Sequence, residues 1–307
     1  MPLSNARELK EDVLFRASEP LTGSGWNGKA MDYLNRVYRT LCTGASEFLP
    51  EYVDDWWWMR ASDTLILEPS YNTGTIALTN GAALVSFSVP PAISMAGRRL
   101  RIKDYHDIFV VEAHIAGQAN ATLDDIYTGP TNTAALFECM KVEYTLAANV
   151  QVLMGPLISY KGTERVYGLS PERMDELWPL ARLKPGAPEA FCLNSEKAIR
   201  ISHGGRNDGV SMRIEYRYRP IVTDLTDSVS SIPLVPAQWM HVLADMALVY
   251  VLLDKNDDRS NAAALGARTG LSAMLKENRR RGNKVDQHAG HLFPRPGNRW
   301  LKHETGE

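Results

Sequence analysis

The sequence predicts an α+β fold: a helical bundle of N- and C-terminal helices, an inserted antiparallel β-barrel or sandwich module, and an extended C-terminal tail. Three observations predict it. Apolar residues recur at helical spacing near residues 30–41 and 239–253, and short β-branched and aromatic runs separated by turn signals fill 64–147. The last stretch mixes Gly, Pro and His with basic side chains. The resulting regions are N-terminal helical (1–62), antiparallel β-module (63–147), mixed with β-hairpins (148–232), C-terminal helices (233–281) and extended basic tail (282–307).

Along the chain, Ala30, Leu34, Val37 and Leu41 fall at helical spacing with Tyr33 and Tyr38 beside them, which predicts an amphipathic helix ending near Gly44. Asn27 is its expected cap. Pro50 breaks any continuation. The runs TLILEP, GTIALTNG, ALVSFSVPP, RLRIKDYHDIFVVEAHI, ATLDDIYTGP and FECMKVEYTL read as six or so antiparallel strands. Asn80-Gly81 signals a type I′ hairpin, whose two central positions need positive φ. Ser170 then caps, and Pro171 opens, a short helix. In VSMRIEYRYRPIV, alternation puts Met212, Ile214, Tyr216 and Tyr218 on one strand face. Trp239, Val242, Leu243, Met246, Val249, Tyr250 and Leu253 trace one helical stripe, and Leu265, Leu271, Met274 and Leu275 a second.

With 307 residues, 44% hydrophobic and 23% charged, the composition is that of a globular chain. No apolar run approaches the ~20 residues of a membrane-spanning helix. The N-terminus MPLSNARELKEDVLF lacks the basic-then-apolar order of a secretory signal, so a cytoplasmic origin is expected. Cys42, Cys139 and Cys192 are too few and too scattered for a disulfide framework or a Cys-x-x-Cys metal clip, and are expected as buried thiols. Residues 276–302 carry eight basic against two acidic side chains, which leaves −8 on the rest of a chain whose net charge is −2. A basic end on an acidic body fits a segment that reaches for an acidic partner.

Residues 23–30, GSGWNGKA, stop one residue short of the phosphate-binding loop Gly-x-x-x-x-Gly-Lys-[Ser/Thr]. The hydroxyl position is Ala30, the preceding VLFRASEPLT is a poor strand, and the surroundings do not alternate strand and helix. Asp254, at the end of VYVLLD, only mimics the acidic partner strand. Nucleotide hydrolysis is thereby disfavoured. The acids Glu47, Glu51, Asp54 and Asp55 beside Trp56, Trp57 and Trp58 suggest a glycan-binding or glycan-cleaving corner, against which stands simple packing of the indoles. His288 and His291, with His303 nearby, have no acid or Cys at ligand spacing to complete a zinc set. HGGRN (203–207) reads as a hairpin turn rather than an anion-holding nest. No catalytic residue, cofactor or metal is predicted.

Several short elements occur in a telling order. Gly74-Thr75 and Asn80-Gly81 open the β-module, followed by Tyr127-Thr128-Gly129-Pro130-Thr131 and Tyr144-Thr145-Leu146. Gly186-Ala187-Pro188-Glu189-Ala190-Phe191, Tyr216-Arg217-Tyr218 and Pro236-Ala237-Gln238-Trp239 come next, and LLDKNDDRSNAAA links the last helices. This order resembles the head-to-tail adaptor (connector) proteins of tailed, particularly short-tailed, bacteriophages over about residues 30–281. Ala147-Ala148-Asn149 and SFSVPPAISM depart from the family's pattern.

The resemblance implies a non-enzymatic virion protein, assembled in the host cytoplasm, that joins the portal protein to a tail or nozzle protein as a dodecameric homo-oligomeric ring. Genomic DNA would pass its lumen without specific binding. Ring packing is expected from Trp239, Val242, Leu243, Met246, Tyr250 and Leu253. Portal docking is expected from Arg279, Arg280, Arg281, Lys284, Leu292, Phe293, Arg295, Arg299 and Trp300, where arginines pair with carboxylates and aromatics anchor.

Overall fold

In a computed structural model, the described residues are 3–21, 25–45, 47, 48, 53, 55–159 and 165–292; for Ala181 and 282–292 only the backbone is described. The fold is mixed α+β. Its helices are α1 (Ala6–Arg16), α2 (Trp26–Thr43), α3 (Pro171–Leu177), α4 (Met240–Asp254) and α5 (Ser260–Leu292). The first strands are β1 (Ala61–Leu67), β2 (Ile76–Leu78), β3 (Leu84–Phe87), β4 (Arg99–Ile102), β5 (Ile108–His114), β6 (Asn120–Leu123), β7 (Asn132–Ala135) and β8 (Phe137–Met140). The rest are β9 (Glu143–Thr145), β10 (Val150–Leu153), β11 (Leu157–Ser159), β12 (Arg165–Gly168), β13 (Ala190–Ser195), β14 (Ala198–Ile201) and β15 (Met212–Pro220). The chain divides into two compact units, Met1–Arg60 with Val222–Glu307, and Ala61–Ile221. No described helix is long and apolar enough to cross a membrane.

In the helical unit, α1 starts where Asn5 Oδ1 accepts from the Glu8 N–H at 3.0 Å, while the Glu8 carboxylate accepts from the Ser4 N–H at 2.7 Å. The first bond satisfies an N–H that the first helical turn leaves open, and the second ties the residue before the cap back onto the helix. The Glu8 carboxyl is held below its ordinary pKa, chiefly through hydrogen bonds from Ser4. Helix α2 stops at Gly44, whose φ of 74° is left-handed; a Cβ there would lie 1.9 Å from the Val53 carbonyl oxygen.

Helix α4 is the core of this unit. Ten of its fifteen residues are buried, and α1, α2 and α5 all pack against it. The single stripe read from sequence is therefore too narrow: a helix covered on several sides is apolar nearly all round. Val242, Leu243 and Met246 are fully enclosed by the chain's own core, Trp239 and Tyr250 pack half-buried against it, and Leu253 is exposed. On α5, Leu271, Met274 and Leu275 are buried, but Leu265 is exposed. The α5 backbone continues to Leu292, where the sequence reading has an extended tail from 282. Gly282 and Gly290 cost a helix only ~1 kcal/mol each.

In the β unit, two nearly closed, barrel-like sheets form. One runs β7-β2-β3-β6-β5-β4-β8; the other runs β1-β15-β11-β12-β13-β14-β9, with β10 also on β15. The regions 63–147 and 148–232 are thus not separate modules. Strand β1 pairs along its whole length with β15, from Ala61↔Tyr218 to Leu67↔Met212, because the buried face of β15 (Ile214, Tyr216, Tyr218) requires paired neighbours. Residues beyond Ile221 belong to the helical unit, where Leu225 exchanges two hydrogen bonds with the Asn35 amide at 2.7 and 3.0 Å. The hairpin at Asn80-Gly81 exists, yet only Gly81 has positive φ, 79°. The Asn80 side chain instead donates to the Thr128 and Gly129 carbonyls at 3.0 and 2.9 Å, so the turn is not type I′.

A buried cation ties the two sheets together. Arg98, just before β4, is 1% exposed and pairs with Glu68, just after β1. Glu68 also pairs with Lys141, just after β8, at 2.7 Å. Burial alone would raise the Glu68 carboxyl, but the Lys141 hydrogen bond and the Arg98 and Lys141 charges hold it below its ordinary 4.5. Removing one partner of a buried pair leaves an uncompensated charge, so Glu68→Gln is expected to lose about 3–5 kcal/mol in urea unfolding. A depressed carboxyl stabilises the fold above its unfolded pKa. Wild type therefore loses stability as pH falls below 4.5 and through the lower folded value, and Glu68→Gln is expected to show a shallower decline over that window.

Candidate functional site

The basic stretch begins at Lys276 within α5, and the helix there is fastened by the tryptophan triplet. Trp56 is fully buried and its indole N–H donates to the Leu41 carbonyl at 2.6 Å, which also accepts from the Gly44 N–H at 3.0 Å at the end of α2. Trp58 stacks on Trp56 at 4.4 Å, and Trp57 meets Trp58 edge-on at 5.9 Å. Asn278 of α5 clamps the backbone of this loop: its Oδ1 accepts from the Trp57 N–H at 2.9 Å and its Nδ2 donates to the Asp55 carbonyl at 3.0 Å.

One carboxylate gathers the surrounding donors. Glu277 accepts from the Trp239 indole at 2.9 Å and from the Gln238 amide at 3.1 Å, and pairs with Arg281 at 2.6 Å. The Arg281 guanidinium in turn lies 3.7 Å from the centroid of Trp57. Arg279 and Arg280 are exposed on the same stretch. Lys284 and Leu292 lie on the helical backbone of α5, with side chains outside the described residues, and Phe293, Arg295, Arg299 and Trp300 lie outside them altogether. The sequence therefore names Arg281 for docking, while the structure gives it a second task as a brace on Trp57.

The described part of the glycan corner is largely engaged within the protein. Trp56 is enclosed, one face of Trp57 is covered by Arg281, and the Asp55 carboxylate is paired with Arg60 at 2.6 Å. Glu47 is exposed, and Glu51 and Asp54 lie outside the described residues. The indole N–H groups of Trp57 and Trp58 and Asp55 Oδ1 are buried with no partner among the described residues.

At the phosphate-loop lookalike, α2 starts at Trp26 with Gly25 as its cap residue and no side-chain capping bond. Asn27 is inside the helix, so it is not the cap. Lys29 pairs with Asp254 at 2.8 Å and sits 4.6 Å over the Trp26 ring. The hydrogen bond to Lys29 holds the Asp254 carboxyl below its ordinary value. Serine 24 and Gly23 lie outside the described residues. His288 and His291 lie on α5 with side chains outside the description, as does all of His303. No cluster of His, Cys, Asp and Glu suited to a metal occurs among the described residues.

HGGRN is not a simple hairpin turn. Gly205 forms a bridge with Gly186, and Gly204 donates to the Lys184 carbonyl at 3.1 Å; the turn itself comes later, at Asn207–Gly209. A Cβ on Gly204 would stand 2.4 Å from Met140, and one on Gly205 2.2 Å from the Glu68 carbonyl oxygen, so packing demands both glycines. Cys42, Cys139 and Cys192 are all buried, and burial pushes the Cys139 thiol up to about 12. No protein-family model matches the chain, and no curated protein matches it in sequence.

Asn278 and Glu277 carry much of this geometry and were not singled out by sequence, because their partners lie more than two hundred and nearly forty residues away respectively. Trp56→Ala is expected to destabilise the helical unit by about 3–5 kcal/mol, the usual cost of emptying a buried indole site. Arg281→Ala is expected to cost about 0.5–1 kcal/mol, as for an exposed cation–π contact. Urea unfolding followed by tryptophan fluorescence measures both, and an equal loss in the two variants contradicts the division between core and brace.

Proposed function

We propose that the protein is a structural, non-enzymatic connector of a short-tailed phage virion, with the N- and C-terminal helices forming a bundle and the C-terminal segment docking on the portal. The observation that carries this reading is the anchored, basic end of α5. This helix of 33 residues is clamped at Asn278 and Glu277, then continues toward the chain's most basic stretch. From Gly282 to Leu292 it runs roughly 16 Å at the α-helical rise. A basic segment carried on a fixed helix loses less entropy on docking than one carried on a free chain.

Val242, Leu243 and Met246 are committed to the internal core, so ring contacts fall to exposed apolar positions of the helical unit. Phe15, Leu253 and Leu265 are 77%, 55% and 69% exposed. The acidic remainder of the chain would weaken any hold on DNA sliding through a lumen. The order of motifs from Gly74-Thr75 to Trp239 supports the family resemblance. A glycan-handling role has less behind it, because the indoles and Asp55 are engaged with protein groups.

Electron microscopy of the purified protein, alone and mixed with portal, is expected to show a closed ring with a central channel. Protein lacking 282–307 is expected to keep its fold and lose portal docking. A truncated protein that docks fully overturns the tail assignment, and the absence of any ring in both preparations overturns the connector reading.

A further inference from the structure

A cleft of about 530 Å³ opens in the β unit between the β4–β5 loop, the end of α3 and the segment after β14. That volume is within the usual range for small-molecule sites. Arg101, His106, Arg182 and Lys184 all line it, and among the described residues no carboxylate does. Arg101 is partly committed, donating to the Leu183 carbonyl at 3.0 Å and lying 3.9 Å from Glu138. Arg182 and Lys184 are exposed at the cleft and make no ion pair among the described residues.

The polar wall is built rather than incidental. Ser202 is buried, and its oxygen accepts from the Glu189 and Ala190 N–H groups at 2.9 and 3.1 Å. Both lone pairs are then used, so its hydroxyl hydrogen goes to His203 Nδ1, 2.9 Å away. An accepting Nδ1 puts the ring proton on Nε2. That N–H has no acceptor among the described residues. Burial pushes the His203 pKa down, opposed by Glu189 and reinforced by Lys184.

The aromatic wall is equally fixed. Buried Arg200 donates to the Trp178 carbonyl at 2.8 Å and pairs with Asp175, locking the end of α3. Trp178 then stands edge-on to His203 with centroids 6.5 Å apart. The imidazole rests on Gly186, where a Cβ would come 3.1 Å from its Cδ2.

We propose that this cleft binds a small oxyanion carried on a planar group, an aryl phosphate or carboxylate, with the oxyanion held by Arg182, Lys184 and the Nε2–H of His203 and the planar part against Trp178. The shape and charge of the cleft carry the proposal independently of the connector reading. Guanidinium, ammonium and a neutral N–H donor together suit an anion with several acceptor oxygens.

Titration calorimetry of the full-length protein with phenyl phosphate, benzoate and inorganic phosphate tests it. Saturable one-to-one binding of phenyl phosphate or benzoate is expected, the tighter of the two identifying the oxyanion, with inorganic phosphate weaker than phenyl phosphate. Arg182→Ala/Lys184→Ala, both at exposed positions, and His203→Phe are each expected to weaken binding about tenfold or more. No saturable binding of any probe, or unchanged affinity in the Arg182/Lys184 variant, overturns the site. Inorganic phosphate binding as tightly as phenyl phosphate overturns the role of Trp178. Histidine nitrogen NMR of the unmodified protein is expected to show His203 in the Nε2–H form and to shift with phenyl phosphate; an Nδ1–H form overturns the donor assignment.

Discussion

The buried guanidinium of Arg98 is the constraint on which the β unit turns. A cation taken out of water costs several kcal/mol unless it is paired and hydrogen-bonded. Here Glu68 supplies the charge and the Pro69 carbonyl accepts at 3.1 Å. Glu68 leaves β1 just as the chain moves into the seven-stranded sheet, and Lys141 leaves β8 just as the chain moves back. The Tyr144 hydroxyl closes the arrangement by accepting from the Glu68 N–H at 3.1 Å, and burial lifts its pKa to about 12. The pairing therefore fixes both crossings between the sheets. It also sets the position of the segment after β14, since Gly205 fits against the Glu68 carbonyl and Gly204 against Met140. His203 precedes those glycines directly, so the wall of the cationic cleft inherits its position from the charge cluster at the crossover.

A different logic holds the helical unit. Helix α4 is enclosed by its own chain, and the polar contacts that orient its neighbours lie at the periphery. Arg16 reaches Asp245 at 2.7 Å, Lys255 reaches Glu19 at 2.6 Å, and Lys10 reaches Asp227 at 2.6 Å. Lys10 is buried and the other two pairs are partly so, and each charge keeps a partner as it leaves water; the apolar core supplies the cohesion and the pairs contribute specificity of approach. The tryptophan loop follows the same rule: Trp56 is core, whereas Trp57 and Trp58 are its polar-edged border against Asn278 and Arg281.

Local signals were legible and long-range ones were not. Ser170 caps α3 with Pro171 at its first position, and β15 alternates as its sequence does, because both depend on residues within a turn or a pleat of each other. Helix α1 likewise carries an Asn5-x-x-Glu8 signature whose Asn5 caps the helix. The pairing of β1 with β15 joins residues about 150 positions apart, and no local pattern announces it. The same holds for Leu253 and Leu265, which fit an apolar stripe but face away from the core that the neighbouring helices define. The cleft was missed for this reason too. Ser202, His203, Trp178 and Lys184 acquire a shared role only when β14 and the end of α3 meet.

GSGWNGKA shows how a motif's chemistry is decided outside the motif. A phosphate-binding lysine must keep its charge available to the ligand, at a helix N-terminus fed by a strand. Lys29 instead faces Asp254 from the far end of α4, with the Trp26 ring beside it, so its charge is already balanced within the protein. The cleft near His203 has the opposite arrangement: Arg182 and Lys184 make no ion pair among the described residues, and the imidazole offers a hydrogen that no described residue accepts. Availability of charge, more than resemblance of spacing, separates the two stretches, and it favours the one that the sequence pattern did not advertise.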